Sequence, residues 1–293
     1  MATFRAPAAQ AAYIMKALQG HHLRSVGTVR NYEQGLTRVA EWTQRERLPG
    51  GLRAMTPELA IRYLEQRGQE VGQKALDMER QAMQAMMQHV TGQLAHGARI
   101  PVIKSEQAQV LMARAYTAPQ VALIAAAQTP RHGLATELAY AAGLRAHQLL
   151  TVRRGEDRAA DPRPALASKW QGRDGVMYTV HGKGGLVREV LLPHALAERL
   201  EAVRLDAPLA ITDRGIHYQS HYDIGGGQRW SNSVSAASER ALGWSTGAHG
   251  LRHSYAQERM AELQASLSRD AALTTVSQEM GHFRPEITET YLR

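Results

Sequence analysis

Apolar positions in the first hundred residues recur with a helical period. Val29, Tyr32, Leu36, Val39 and Trp42 lie three or four apart, which predicts a helix from Ser25 or Thr28, either able to cap it, to about Arg47. Pro49-Gly50-Gly51 ends it. Thr56-Pro57 offers an N-cap with proline at the first helical position, and Leu59, Ile61, Tyr63 and Leu64 supply apolar residues before Gly68. A third helix is predicted from about Gln73 to His89. Its Met78, Met83, Met86 and Met87 read as adaptable core filling. A shorter helix over Ala11 to Leu18 completes a bundle of about four helices.

Gly97-Ala98-Arg99-Ile100-Pro101 reads as the start of a linker, and Thr117 with Pro119 starts a new helix to about Gln128. This divides the chain into a helical domain at 1–113, with its linker near 97–113, and a second domain at 114–293. In the second, Leu134 to Ala142 makes a buried helix closed by Gly143. Residues 156–175, rich in Pro, Gly, Asp and Arg, make a loop. Val176 to Val180 and Leu186 to Leu192 flank a glycine-rich turn and form a β-hairpin, which Pro193 stops. The remainder is predicted helical, interrupted by a polar segment from Tyr218 to Ser233 that contains Gly225-Gly226-Gly227. The fold class is mainly α, with one small antiparallel sheet.

Composition narrows the function. The 293 residues include no cysteine, so disulfides and thiolate metal sites are excluded. No apolar run reaches signal-peptide length at the start or the roughly 20 residues of a membrane span elsewhere, and a cytoplasmic protein is expected. A net charge of +8 and a pI near 9.9 suit a polyanionic partner or a solvated basic surface. Residues 1–100 carry 13 Lys and Arg against 8 Asp and Glu, the remainder 22 against 19, so the N-terminal part is the more basic per residue. Arginine outnumbers lysine 30 to 5, which suits bidentate phosphate contacts.

The chemistry-bearing residues lie mostly in the second domain. Arg145 follows Gly143 at the end of an apolar helix, where it could enter a cleft or serve as a salt-bridger. Lys183 sits in the hairpin turn Gly182-Lys183-Gly184-Gly185. His249 and Arg252, three apart near the start of a helix, share a face beside backbone N–H groups that a helix N-terminus leaves free, a ready anion site. Met280-Gly281 reads as a helix C-terminus with His282 just past it, as a cap or a ligand. Pro285 then starts a short helix that carries Tyr291. Phosphodiester transfer builds negative charge on the non-bridging oxygens, so its catalyst needs fixed cationic donors, a task arginine forks perform well.

The order and spacing of Arg145, Lys183, His249-Gly250-Leu251-Arg252-His253, Gly281-His282 and Thr290-Tyr291 resemble the tyrosine recombinases, the phage-integrase family. The resemblance is close over residues 115 to 293 and loose over 10 to 100. It implies an α-helical core-binding domain joined to the tyrosine recombinase catalytic fold, the two clamping duplex DNA. It also implies site-specific cleavage and rejoining of DNA strands. Tyr291 would attack the scissile phosphate, giving a 3′-phosphotyrosyl enzyme and a free 5′ hydroxyl. Arg145 and Arg252 would clamp the phosphate, His249 would move a proton or bond the phosphate, His282 would bond it, and Lys183 would be the general acid. His253 reads as packing.

No cofactor or metal is implied, and the partner is double-stranded DNA bearing paired recombination sites. The assembly implied is a homotetramer on DNA and a monomer when free, at home in the cytoplasm on the nucleoid. One departure is Gln148, where the family commonly places an acid three positions after the first arginine. Another is the end of the chain two residues past Tyr291, which predicts a fraying last helix. Competing readings are a type IB topoisomerase, a non-catalytic DNA-binding protein and a metal-dependent hydrolase built on the His249/His253 or His217/His221 pairs. Neither pair has Glu after its first histidine, so the metalloprotease motif is absent.

Overall fold

A computed structural model describes residues 5–23, 26–109, 111–282 and 284–293, except the side chain of Lys183. The chain forms two compact units, Met1–Val110 and Leu111–Arg293. In the first, α1 (Pro7–Leu18), α2 (Val26–Arg45), α3 (Pro57–Gly68) and α4 (Gln73–Met86) enclose one core. Leu36, Val39, Trp42, Tyr63, Leu64, Met83, Met86 and Met87 fill it. Met83, Met86 and Met87 are thus core, each worth about 1.5–3 kcal/mol of burial, while Met78 packs partly buried against it. Thr56 Oγ1 caps α3 by accepting from the Leu59 N–H at 3.4 Å. Thr28 lies inside α2, and Ser25, the other proposed cap, lies outside the described residues. Past Met86 the chain widens into a π-helical turn, Met87–Thr91. Glu79, fully buried, accepts from the Tyr63 hydroxyl at 2.7 Å and from Arg67 Nε at 3.3 Å, which satisfies its charge.

The second unit begins with α5 (Ala118–Ala126), where the Thr117 N–H donates to Gln120 Oε1 at 2.9 Å, and α6 (Pro130–Ala142). Strands β1 (Arg153–Arg154), β2 (Val176–His181) and β3 (Val187–Leu192) form an antiparallel sheet in that order. In the β2–β3 register His181 opposes Val187 and Val180 opposes Arg188, so the Gly182–Gly185 turn is the hairpin tip. After Pro193 come α7 (His194–Glu201), α8 (Gly227–Leu242), α9 (Gly250–Gln264), α10 (Arg269–Met280) and α11 (Pro285–Glu289). Helix α6 packs on α5, α8, α9 and β3, and its Leu134, Ala135, Leu138 and Ala139 sit in the unit's main core. A second core joins α9 to α10 through Tyr255, Ala256, Met260, Ala272, Val276 and Met280 and includes Tyr291.

Between α7 and α8 the structure departs from the sequence reading. Strands β4 (Arg204–Asp213) and β5 (Ile216–Tyr222) make a second antiparallel sheet where helix and a polar break were expected. Most of β4 is exposed, so it shows no one-sided apolar alternation, and the pairing slips between Arg204 and Leu209 near Pro208. The tight turn uses Arg214 at φ 51 and Gly215 at φ 77, the left-handed pair that such hairpins need, without the usual Asn-Gly signature. His217 and His221 therefore lie on a strand, not a helix face. Among the described residues no helix is long and apolar enough to cross a membrane.

Candidate active site

Helix α6 ends because Gly143 takes a left-handed conformation, φ 56. A Cβ there would sit 2.8 Å from Tyr255 Cδ1 on α9, so the glycine also lets the two elements close up. Arg145 follows, half-buried, and its guanidinium has no hydrogen bond or ion pair among the described residues. Helix α10 ends the same way at Gly281, φ 69, which places His282.

Arg252, fully buried on the first turn of α9, is gripped from both helix ends. Its Nη1 donates to the Gly143 carbonyl, and its Nη2 donates to the Met280 carbonyl at 2.7 Å and to His282 Nε2 at 2.8 Å. Both carbonyls lie at helix C-termini, whose partial negative charge suits a cation. Its Nε is buried without a partner among the described residues. Burial, then the neighbouring Arg145 charge, holds the guanidinium pKa down at about 10.

Around Tyr291 the rings converge. Ring centres of His253, His282 and His249 lie 4.9, 5.1 and 5.2 Å from that of the tyrosine, and the Arg252 guanidinium carbon lies 5.5 Å from it. The phenol is close enough to Arg252 to couple to its charge. Tyr291 lies just past α11 rather than within it and is 7% exposed. Its carbonyl accepts from His253 Nδ1 at 3.2 Å and Gln257 Nε2 at 3.1 Å, and its N–H donates to the Thr288 carbonyl at 2.9 Å. The last backbone partners expected to be missing there are supplied by side chains of α9, since Gln257 Nε2 also donates to the Arg293 carbonyl at 3.0 Å.

His282 is oriented on both sides. Its Nε2 accepts from Arg252, so its Nδ1 carries the proton and donates to Thr288 Oγ1 at 2.9 Å. His249 sits at the N-terminal end of α9, partly exposed. The free backbone N–H groups expected beside it are in part committed. Gly250 donates to the Gly247 carbonyl and Arg252 to that of His249. The structure thus brings Arg145, His249, Arg252, His282 and Tyr291 together. Lys183 lies on the hairpin tip, but its side chain lies outside the described residues.

Two residues that the sequence did not single out, Arg114 and Arg188, also belong here, together with Gln148, which it did. Arg114 Nη2 donates to the Thr246 carbonyl at 2.9 Å, and its charge reaches His249 and His253. Gln148, fully buried, accepts the Arg145 backbone N–H on Oε1 at 2.9 Å, not the Arg145 guanidinium. Arg188 on β3 donates from Nη2 to that same Oε1 at 3.1 Å. A lone arginine within a strand carries no sequence signal of this kind. Among the described residues no group of three His, Cys, Asp or Glu could hold a metal ion.

Burial, and then the surplus of cations, disfavours the charged form of the histidines. Loss of solvent contact and then Arg252 push His249 and His282 down to about 3, and loss of solvent contact and then Arg114 push His253 down to about 4. An unfolded imidazole binds a proton near pH 6.5 that the folded one refuses. The unfolded state then binds more protons, so stability is full above about pH 6.5 and falls as the pH drops towards 4. Denaturant titrations across that range should show the decline, with a shallower slope in His282→Asn. A flat profile would mean that these imidazoles protonate freely in the fold.

No protein-family model matches the chain, and no curated protein matches it by sequence. Solved structures do match. A lambda integrase tetramer bound to a Holliday junction aligns over 97% of this chain and 76% of its own at 16% identity, with a TM-score of 0.60. XerH site-specific recombinase bound to its difH substrate aligns over 98% and 91% at 14% identity, TM-score 0.56. The Tn1549 transposon integrase with a circular intermediate DNA aligns over 99% and 95% at 12% identity, TM-score 0.51. The chain therefore has the tyrosine recombinase fold, as its motifs led one to expect.

Proposed function

We propose that this protein is a site-specific DNA recombinase that cleaves and rejoins strands through a 3′-phosphotyrosyl intermediate. The observation that carries the reading is a tyrosine packed among three histidines and Arg252, with Arg145 close to Arg252, and no carboxylate paired to either arginine among the described residues. Such a site suits a phosphate, and among the described residues it has no His, Cys, Asp or Glu grouping that could hold a metal ion. A tyrosine hydroxyl ionises only near pH 10 in water, so attack at neutral pH needs its anion stabilised as it forms.

In the first step the Tyr291 oxygen bonds to phosphorus and the bond to the 5′ oxygen breaks. His249, beside the ring, takes the phenol proton once the entering phosphate anion raises its proton affinity. Lys183 on the hairpin delivers a proton to the leaving 5′ oxygen. Arg145 and Arg252 take up the charge on the non-bridging oxygens. His282 holds Arg252 in place in the free protein. To donate from Nε2 to the phosphate it must first gain a proton, a change that an entering anion favours. In the second step a 5′ hydroxyl from another strand displaces Tyr291, so one phosphodiester bond replaces another and no energy source is consumed. The partner is double-stranded DNA with paired sites. Both units contact it, and four protomers assemble on it from free monomers; the lambda integrase that this chain resembles is a tetramer on a Holliday junction.

The test is capture of a covalent adduct from a library of randomised, nicked duplexes, which trap the enzyme by losing the short 5′ fragment. Phenol partitioning and a denaturing gel should recover adduct, and peptide mapping should place it on Tyr291. Absence of any adduct would overturn the reading. Once a site is known, Lys183→Ala should cleave ordinary DNA slowly and regain its rate when the 5′ oxygen is replaced by sulfur, which leaves without a proton. A slow rate on both substrates would remove Lys183 as the acid.

A further inference from the structure

Arg188 is a buried cation with no carboxylate paired to it among the described residues. It is 5% exposed, and its hydrogen bonds go to the Glu279 carbonyl at 2.6 Å, the Glu189 carbonyl at 3.4 Å and Gln148 Oε1 at 3.1 Å. The Glu279 carboxylate is already occupied by Arg259 Nε at 2.9 Å, the Tyr255 hydroxyl at 2.9 Å and the Trp170 N–H at 3.0 Å. Arg188 Nε and Gln148 Nε2 are both buried with no partner among the described residues. Arg252 and Arg145 lie near enough to oppose its charge. Burying an ion without a counter-ion is costly, and ordinarily a sequence avoids it.

Its position suggests what offsets that cost. Arg188 stands one register step inside the hairpin tip, opposite Val180. From there it reaches Gln148, whose Oε1 also accepts the Arg145 backbone N–H, and the last turn of α10 just before His282. Gly281 makes room for it, since a Cβ there would lie 2.6 Å from Arg188 Cδ. One guanidinium thus joins the segments that present Arg145, His282 and the hairpin.

We propose that Arg188 is a positioning residue of the phosphate site, fixing the Arg145 turn and the Gly281–His282 corner to the hairpin base while adding a third positive charge whose counter-ion is the substrate phosphate. This rests on the phosphodiester-transfer reading, but its first test needs no DNA. Inorganic phosphate should raise the melting temperature of the whole protein, and Arg188→Met, which keeps the bulk and loses the charge, should weaken phosphate affinity about tenfold or more. Equal stabilisation of the two proteins would overturn the proposal and leave the recombinase reading intact. No stabilisation of either would overturn both the phosphate site and this assignment. Should Arg188→Met not fold, Arg188→Lys serves. It keeps the charge but cannot reach Gln148 and the Glu279 carbonyl together, so it should retain phosphate binding and lose cleavage rate without change in KM. Full rate in Arg188→Lys would overturn the positioning role.

Gln148→Glu supplies a readout that a merely structural arginine would not move. With Arg188 present the new carboxylate gains a buried partner, and cleavage should hold or rise. Combined with Arg188→Met the same change buries an unpaired acid beside Arg145 and should lower cleavage about tenfold below Arg188→Met alone. Additive effects in that cycle would refute the coupling.

Discussion

Tyr291→Phe is expected to bind DNA as the parent protein does and to form no covalent adduct. The substitution removes one oxygen and leaves the ring that His249, His253 and His282 surround at centre distances of 4.9 to 5.2 Å. The backbone bonds to Thr288, His253 and Gln257 do not involve the side chain, so the segment stays anchored. The cationic pocket is likewise untouched. Cleavage should fall below detection, while filter binding and melting temperature stay within error of the parent. A nicked substrate on a denaturing gel decides it. Adduct formed by Tyr291→Phe would transfer the nucleophile elsewhere, and loss of DNA binding would show that the hydroxyl serves recognition.

How much of this was legible in the sequence follows physical lines. Elements with one strong periodicity and unambiguous ends were readable. Thr56-Pro57, Gly143 and Gly281 each mark a boundary by local backbone chemistry, and the structure uses them as such. The β2–β3 hairpin showed because its strands are β-branched and its turn is rich in glycine. The β4–β5 hairpin did not, since an exposed strand needs no apolar face and Arg214 can adopt a left-handed turn without announcing it. In the site, residues within motifs were readable, whereas Arg114 and Arg188 were not. Their roles depend on long-range contacts, Thr246 for one and Gln148 with Glu279 for the other. Gln148 was noticed as a departure, but its use of one oxygen for two donors could not be inferred from spacing.

Arg252→Ala and Arg145→Ala should both cost cleavage about a hundredfold or more, on the order of 3 kcal/mol for losing a preorganised donor to the transition-state charge, yet they should part company in stability. Arg252 is fully buried, and its loss orphans the Gly143 and Met280 carbonyls and His282 Nε2. A buried acceptor left unpaired costs about 1–3 kcal/mol. Removing a cation also relieves repulsion with Arg145 and Arg188, but that gain acts across space while three direct bonds are lost. Arg252→Ala should therefore melt several degrees lower. Arg145 has no hydrogen bond or ion pair from its guanidinium among the described residues, so its removal forfeits only the packing of its half-buried stem and relieves the same repulsion. Arg145→Ala should melt at or above the parent temperature while cleaving as poorly as Arg252→Ala. Calorimetry beside single-turnover cleavage separates the cases. If Arg145→Ala cleaves within about threefold of the parent, less than 1 kcal/mol, the half-buried guanidinium is not a phosphate ligand. If it destabilises the fold as Arg252→Ala does, Arg145 is held by bonds that this site does not contain.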